Sequence, residues 1–389
     1  MADALALAKA LIAAPSTTPA RGLVFDVLAA ALIAQGFHVE RLTSGTVPDG
    51  PVENLLATRG DDSGPHFAFA GHLDVVPAGD GWRSKPFEPI VCGGLLFGRG
   101  AVDMKGSIAA FVAAAARAPT HAGRVTLIIT GDEEGPATFG TVALIDRMRA
   151  LDLIPDMCLV GEPTSLSRLG DTIKIGRRGS AVIDIAVAGT QGHVAYPQLA
   201  DNPCPALVRI LAQVDAIELD AGTDWFQPSN IETLTIDVGN TATNVIPAHA
   251  TARLSIRFND LHKGADLVER IRAIANAETP RATVISRVYG EAFLTLPGPL
   301  STLVADAVRA VTTITPVLST SGGTSDARFL SKLCPTVELG LVNATMHKVD
   351  EAVALSDLVS LTKIYATILS CVFDSQARQS SSVIGGAIA

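Results

Sequence analysis

Residues 66–77 read HFAFAGHLDVVP. The first seven have the length and apolar content of a buried strand. The run stops at His72, and Asp74 follows two residues on. In extended chain, residues two apart point the same way. Working outward, similar short runs occur at 54–60 (NLLATRG), 124–132 (RVTLIITGD) and 156–162 (DMCLVGE). Each ends at Gly beside a charged residue. Helical patterns fall at 22–35, 106–118 and 138–150. Continuous apolar strands alternating with helices predict an α/β fold with a mostly parallel sheet covered on both faces.

A second pattern starts near Ser180. Strand 181–189, helix 203–216, strands 231–238 and 250–258, helix 263–277 and strand 282–289 follow in the order β-α-β-β-α-β. That order is the signature of a ferredoxin-like α+β unit. After it, α/β sequence returns, with helices near 300–313 and 356–374 and a strand at 335–341. The expected organisation is a catalytic domain in two parts, 1–178 and 292–389, interrupted by an inserted domain at 179–291. The last ten residues, SSSVIGGAIA, read as a frayed tail.

The 389 residues are 48% hydrophobic and 18% charged, which excludes a disordered chain. A net charge of −9 without a Lys/Arg cluster argues against nucleic acid as a partner. The five Cys are scattered and form no CxxC pair, so a thiolate zinc site and a disulfide framework are not expected, and a reducing cytoplasm fits. The first 22 residues lack a basic leader and read as an amphipathic helix of the fold. No uncharged stretch is long enough to cross a bilayer, so no membrane partner is expected.

Acidic residues and His gather at predicted strand ends in GHLDVVP (71–77), GRGAVDMKGS (98–107), GDEEG (131–135), GEPTS (161–165) and MHKVDE (346–351). Ligands of parallel α/β sheets bind outside the carboxyl ends of strands, so these groups should meet on one rim. Asp74 is placed to accept a hydrogen bond from the far nitrogen of a metal-bound His72. Each group also has an ordinary use: Asp103 as a helix cap, Glu162 in a turn, His347 on the surface. Together they hold two His and three ligand-type carboxylates, with Glu133 and Asp74 to spare. Two Zn²⁺ would be neutralised by Asp103, Glu134, Glu162 and a bridging hydroxide, as a partly buried site requires. No HExxH occurs.

The motifs GHLDVVP, GRGAVDMKGS, DEEGP, GEPTS, RRGS, GHVAYP, SGGTSDARF and MHKVDE occur in one order, from the first helix to about residue 374. This set resembles the dizinc amidohydrolases, the superfamily of aminoacylases, acetylornithine deacetylases and carboxypeptidase-G-type enzymes. RRGS, GHVAYP, SGGTSDARF and HKVDE lean towards its succinyl-diaminopimelate desuccinylase family.

The resemblance implies that His72 and Glu162 hold one zinc and Glu134 and His347 the other. Asp103 would bridge them, with Co²⁺ able to take the place of Zn²⁺. It implies Glu133 as the general base acting on a metal-bound hydroxide, Asp74 as the group orienting His72, and a cis peptide after Asp103. His193, a loop His on its own terms, would reach the partner subunit's active site in a homodimer and stabilise the oxyanion. Arg177, Ser180, Tyr196, Asn244, Arg257, Gly323, Thr324 and Asn343 match substrate-binding positions. SGGTSD is read as an anion nest opening a helix near Ala327. The expected reaction splits N-succinyl-LL-2,6-diaminopimelate into succinate and LL-2,6-diaminopimelate. Two other readings are a related N-acyl-amino-acid amidohydrolase, such as acetylornithine deacetylase or an aminoacylase, and a non-catalytic binder on the same scaffold.

Overall fold

Phe69, on the strand His66–His72, stacks on Phe111 of helix Lys105–Ala115 at 4.1 Å between ring centroids. Tyr365, on helix Leu355–Ile384, meets both rings edge-on and donates its hydroxyl to the Leu339 carbonyl. Sheet and helices are thereby locked around one aromatic cluster in a computed structural model that describes residues 3–117 and 122–384, with side chains to 373. Helix Lys105–Ala115 is buried at all of its residues, and its run of Ala lets helices Ala4–Ala13 and Leu355–Ile384 pack closely.

Eight strands form the main sheet in the order His38–Ser44, Val52–Gly60, Arg124–Thr130, His66–His72, Met157–Val160, Thr336–Glu338, Thr172–Lys174, Val317–Ser319. The central pairs are parallel, as the continuous apolar runs predict. An antiparallel strand, His38–Ser44, adds an edge that the apolar-run pattern does not signal, because none of its residues is buried. The predicted long strand at 335–341 shortens to Thr336–Glu338. Helix Leu355–Ile384 continues through the first half of the predicted frayed tail, and 385–389 lie outside the described residues.

Two compact units divide the chain. The first runs to Ile175 and resumes over Thr295–Ser319 and from Ser325 onward. The second is Gly176–Leu294 with Thr320–Thr324. Its antiparallel sheet has the order Asn230–Asp237, His249–Phe258, Gly179–Ala188, Ala282–Gly290. Ile183, Ile185, Val187, Leu254 and Ile256 point to one face, which helices Pro203–Asp215 and Gly264–Glu278 cover through Leu207, Ile210 and Ile271. This is the split β-α-β arrangement that the strand and helix order predicts. Thr320 joins this unit through a hydrogen bond to the Trp225 carbonyl, and Gly323 through the Arg177 guanidinium.

Among the described residues, one helical segment, Leu355–Phe373, is long and apolar enough to cross a membrane. It carries Asp357 and Lys363, and it buries Leu361, Ile364, Tyr365 and Ile368 in the first unit's core.

Candidate active site

Three parallel strands deliver the site. His72 ends one of them, Asp132 to Glu134 follow Arg124–Thr130, and Glu162 follows Met157–Val160. The end of the Met104 side chain fills the space a Cβ at Gly71 would take, beside His72. Asp103 lies immediately before helix Lys105–Ala115 and is joined to Met104 by a cis peptide. His347 comes from a turn in which its own φ is 60° and that of Asp350 is 55°. Left-handed backbone at a residue other than Gly costs about 1–3 kcal/mol and is held only by its surroundings.

Asp103 faces both imidazoles. Its Oδ1 lies 3.1 Å from His72 Nε2 and its Oδ2 lies 3.1 Å from His347 Nε2. Glu162 Oε1 stands 3.7 Å from His72 Nε2 on one side, and Glu134 Oε1 2.8 Å from His347 Nε2 on the other. Glu133 joins the His72 and Glu162 side, with ligand atoms of all three within 4.8 Å of one another. His72 with Glu162 and His347 with Glu134 therefore form two half-sites that share the Asp103 carboxylate.

Burial and mutual repulsion with Glu162 push the Glu133 carboxyl well above its ordinary range. Burial also acts upward on Asp103, but hydrogen bonds from His347 and His72 win and hold it well below that range. Hydrogen bonds to Asp103 and Glu134 lift His347 to about 10. Carboxylates outnumber imidazoles here, and a buried excess of negative charge calls for cations. Nitrogen and oxygen donors in this proportion suit divalent ions of borderline hardness, so the residues fit a dinuclear metal site.

Asp74 does not use its carboxylate as the sequence predicts. His72 Nδ1 lies 2.9 Å from the Asp74 backbone carbonyl and 3.6 Å from the carboxylate Oδ1. The carboxylate instead accepts the backbone N–H groups of Glu133 and Glu134, at 3.2 and 2.9 Å. The short spacing lets the main chain reach the ring first, which frees the side chain to brace the acidic loop. Asp132 is buried and accepts from Thr130 Oγ1 and the N–H groups of Thr138 and Phe139.

The proposed substrate groups are mostly in the second unit. Ser180 and Arg257 pair across adjacent strands, and Arg177 donates to the Gly323 carbonyl at 2.8 Å. His193, Tyr196 and Asn244 form an exposed group. The rings of the first two are 5.7 Å apart, and Val194 N–H donates to the Asn244 carbonyl. Asn343 begins a one-turn helix four residues before His347, in the first unit. The helix after SGGTSD is only Ala327–Leu330, too short to supply the dipole behind the expected anion nest. Thr324 and the glycines belong to the second unit and Ser325 to the first.

Among the buried charges in the quoted motifs that carry no role in the sequence reading are Arg99, Lys105 and Glu351. Lys105 Nζ donates to the carbonyls of Leu11 and Ala14, and burial brings it down to about 7. Arg99 and Glu351 are an ion pair at 2.9 Å. Their sequence signal is position alone, inside GRGAVDMKGS and MHKVDE.

Comparison with known proteins gives the family and the fold. The sequence model of peptidase family M20/M25/M40 matches residues 68–370. The succinyl-diaminopimelate desuccinylase of Sphingopyxis alaskensis is 66% identical over 371 residues, covering 95% of this chain and 98% of that protein. Among solved structures, aminopeptidase PepT of Bacillus cereus superposes with a TM-score of 0.78 at 20% identity, covering 95% of this chain and 98% of its own. The Bacillus subtilis YXEP protein, described as a dinuclear metal binding peptidase, reaches 0.69 at 16% identity, covering 95% of this chain and 98% of its own. With the family model spanning most of its length, the chain belongs to peptidase family M20/M25/M40, a family of metal-dependent hydrolases.

Proposed function

We propose that the protein hydrolyses N-succinyl-LL-2,6-diaminopimelate to succinate and LL-2,6-diaminopimelate, in the cytoplasm, as a step of lysine and diaminopimelate synthesis. What carries the reading is Asp103, with one oxygen at each imidazole, in a chain two-thirds identical to a desuccinylase.

In this reading His72 and Glu162 hold one zinc, Glu134 and His347 the second, and Asp103 both; Co²⁺ is able to replace them. When bound, the metal ions would supply polarisation of the scissile carbonyl and a lowered pKa, towards ~7, for the attacking water. Glu133 takes the proton from the attacking water and delivers it to the leaving amine nitrogen. Asp74 holds the Glu133–Glu134 backbone in place and, through its carbonyl, fixes the His72 ring. The second unit, close to residues 179–291, serves as lid and dimerisation domain. His193 acts in the partner subunit's active site of a homodimer, where its N–H stabilises the oxyanion of the tetrahedral intermediate. Arg177 and Arg257 bind substrate carboxylates, while Ser180, Tyr196, Asn244, Gly323, Thr324 and Asn343 supply hydrogen bonds.

Turnover of N-succinyl-diaminopimelate is compared with that of N-acetylornithine on metal-loaded protein. A clear preference for the succinyl substrate supports the reading. Preference for N-acetylornithine assigns the protein to another amidohydrolase activity, and failure to hydrolyse either leaves a binding role.

A further inference from the structure

Arg99 and Glu351 lie 252 residues apart in sequence, and both are buried. Glu351 uses its full accepting capacity. Its Oε2 takes hydrogen bonds from Arg99 Nη1 and the Gly100 N–H, both at 2.9 Å. Its Oε1 takes them from the N–H groups of Val102 and Asp103, at 2.7 and 3.1 Å. The loop that ends in Asp103 is therefore wrapped around one carboxylate. Arg99 reaches outward. Its Nη1 donates to the Lys348 carbonyl, next to His347, at 3.1 Å, and its Nη2 to the Ala78 carbonyl at 2.9 Å.

A buried ion pair is a poor source of stability, because desolvation offsets its attraction. Here each hydrogen bond named, except the ion pair itself, ends on the backbone of a loop that carries a site residue. The turn held by Arg99 is the one with left-handed backbone at His347 and Asp350, which needs outside support. Among the described residues, none of the hydrogen bonds named for Arg99 and Glu351 ends on the loops of Glu134 or Glu162; Asp74 braces the former.

We propose that Glu351, with Arg99, is a positioning pair that sets Asp103 and His347 at the separation two metal ions require. This rests on the dinuclear reading above. The hydrogen bonds of the pair end on each other and on backbone atoms, not on the side-chain atoms that would bind metal. The pair acts through the backbone on the half-site of His347 and Glu134 more than on that of His72 and Glu162.

The test uses Glu351→Gln, which keeps the side-chain shape but turns two acceptor positions into donors. Arg99→Lys is the second variant, keeping the charge and losing the fork. Metal-free proteins are titrated with Zn²⁺ against a chelator, the visible spectrum of the Co²⁺-loaded forms is recorded, and kcat and KM are measured. One of two metal equivalents should weaken at least about tenfold, as loss of outer hydrogen bonds to ligands does. The Co²⁺ spectrum should shift towards that of His347→Ala, and kcat should fall with KM within about twofold. If both variants bind two metals with native affinity and an unchanged Co²⁺ spectrum, and lose only melting temperature, the proposal is overturned. If Glu351→Gln does not fold, Arg99→Lys decides alone. Native protein that binds no metal would overturn the dinuclear reading itself, which is a separate outcome.

Discussion

The two candidate regions differ in how much of their work is done before a ligand arrives. Around Asp103 most side chains are buried and braced, with His72, Asp74 and Glu351 at most 1% exposed, although His347 itself is exposed. In the second unit, His193, Tyr196 and Asn244 stand exposed, with Tyr196 at 56%. A pre-set charged basin can act wherever its metals are bound. An exposed imidazole gains catalytic force only where another surface excludes water around it. In the proposed mechanism the first region carries the chemistry and the second an assembly-dependent role.

The sharpest way to break that comparison is Asp103→Ala, which should bring turnover to background and weaken both metals together; loss of only one would end the sharing. Next, Glu133→Gln should retain two metals and lose about 10²–10⁴ in kcat, the usual span for a general base. Full activity would remove the base assignment. His193→Ala should lose about 10²–10³ in kcat with metal content unchanged. Mixed with Glu133→Gln protein, it should regain activity if sites are shared between subunits, and heterodimers without recovery would contradict the trans role. Tyr365→Phe marks the small end. It removes the hydrogen bond to Leu339 and should cost about 1 kcal/mol in urea unfolding with kcat unchanged. A changed kcat would extend the active region into the aromatic core.

The metal basin was the most legible part of the sequence because its chemistry demands particular residue types at strand ends. His72, Glu134 and Glu162 end or follow continuous apolar runs whose length and flanking Gly mark them as buried strands. The second unit's β-α-β-β-α-β order was legible for the same reason, through alternation such as that of Gly179–Ala188. What escaped was contact made through the backbone. No pattern shows that Asp74 would turn its carboxylate to the N–H groups of Glu133 and Glu134, or that Glu351 would enclose the loop of Asp103. Half-exposed elements escaped too, as with His38–Ser44, and the length of the helix after SGGTSD is set by tertiary packing.

The most direct test of the shared-carboxylate site is metal content and turnover of N-succinyl-diaminopimelate on one sample, before and after chelation and readdition. The account predicts two divalent ions per chain, activity lost with them and restored by Zn²⁺ or Co²⁺. Full turnover in protein shown to be free of metal would contradict it.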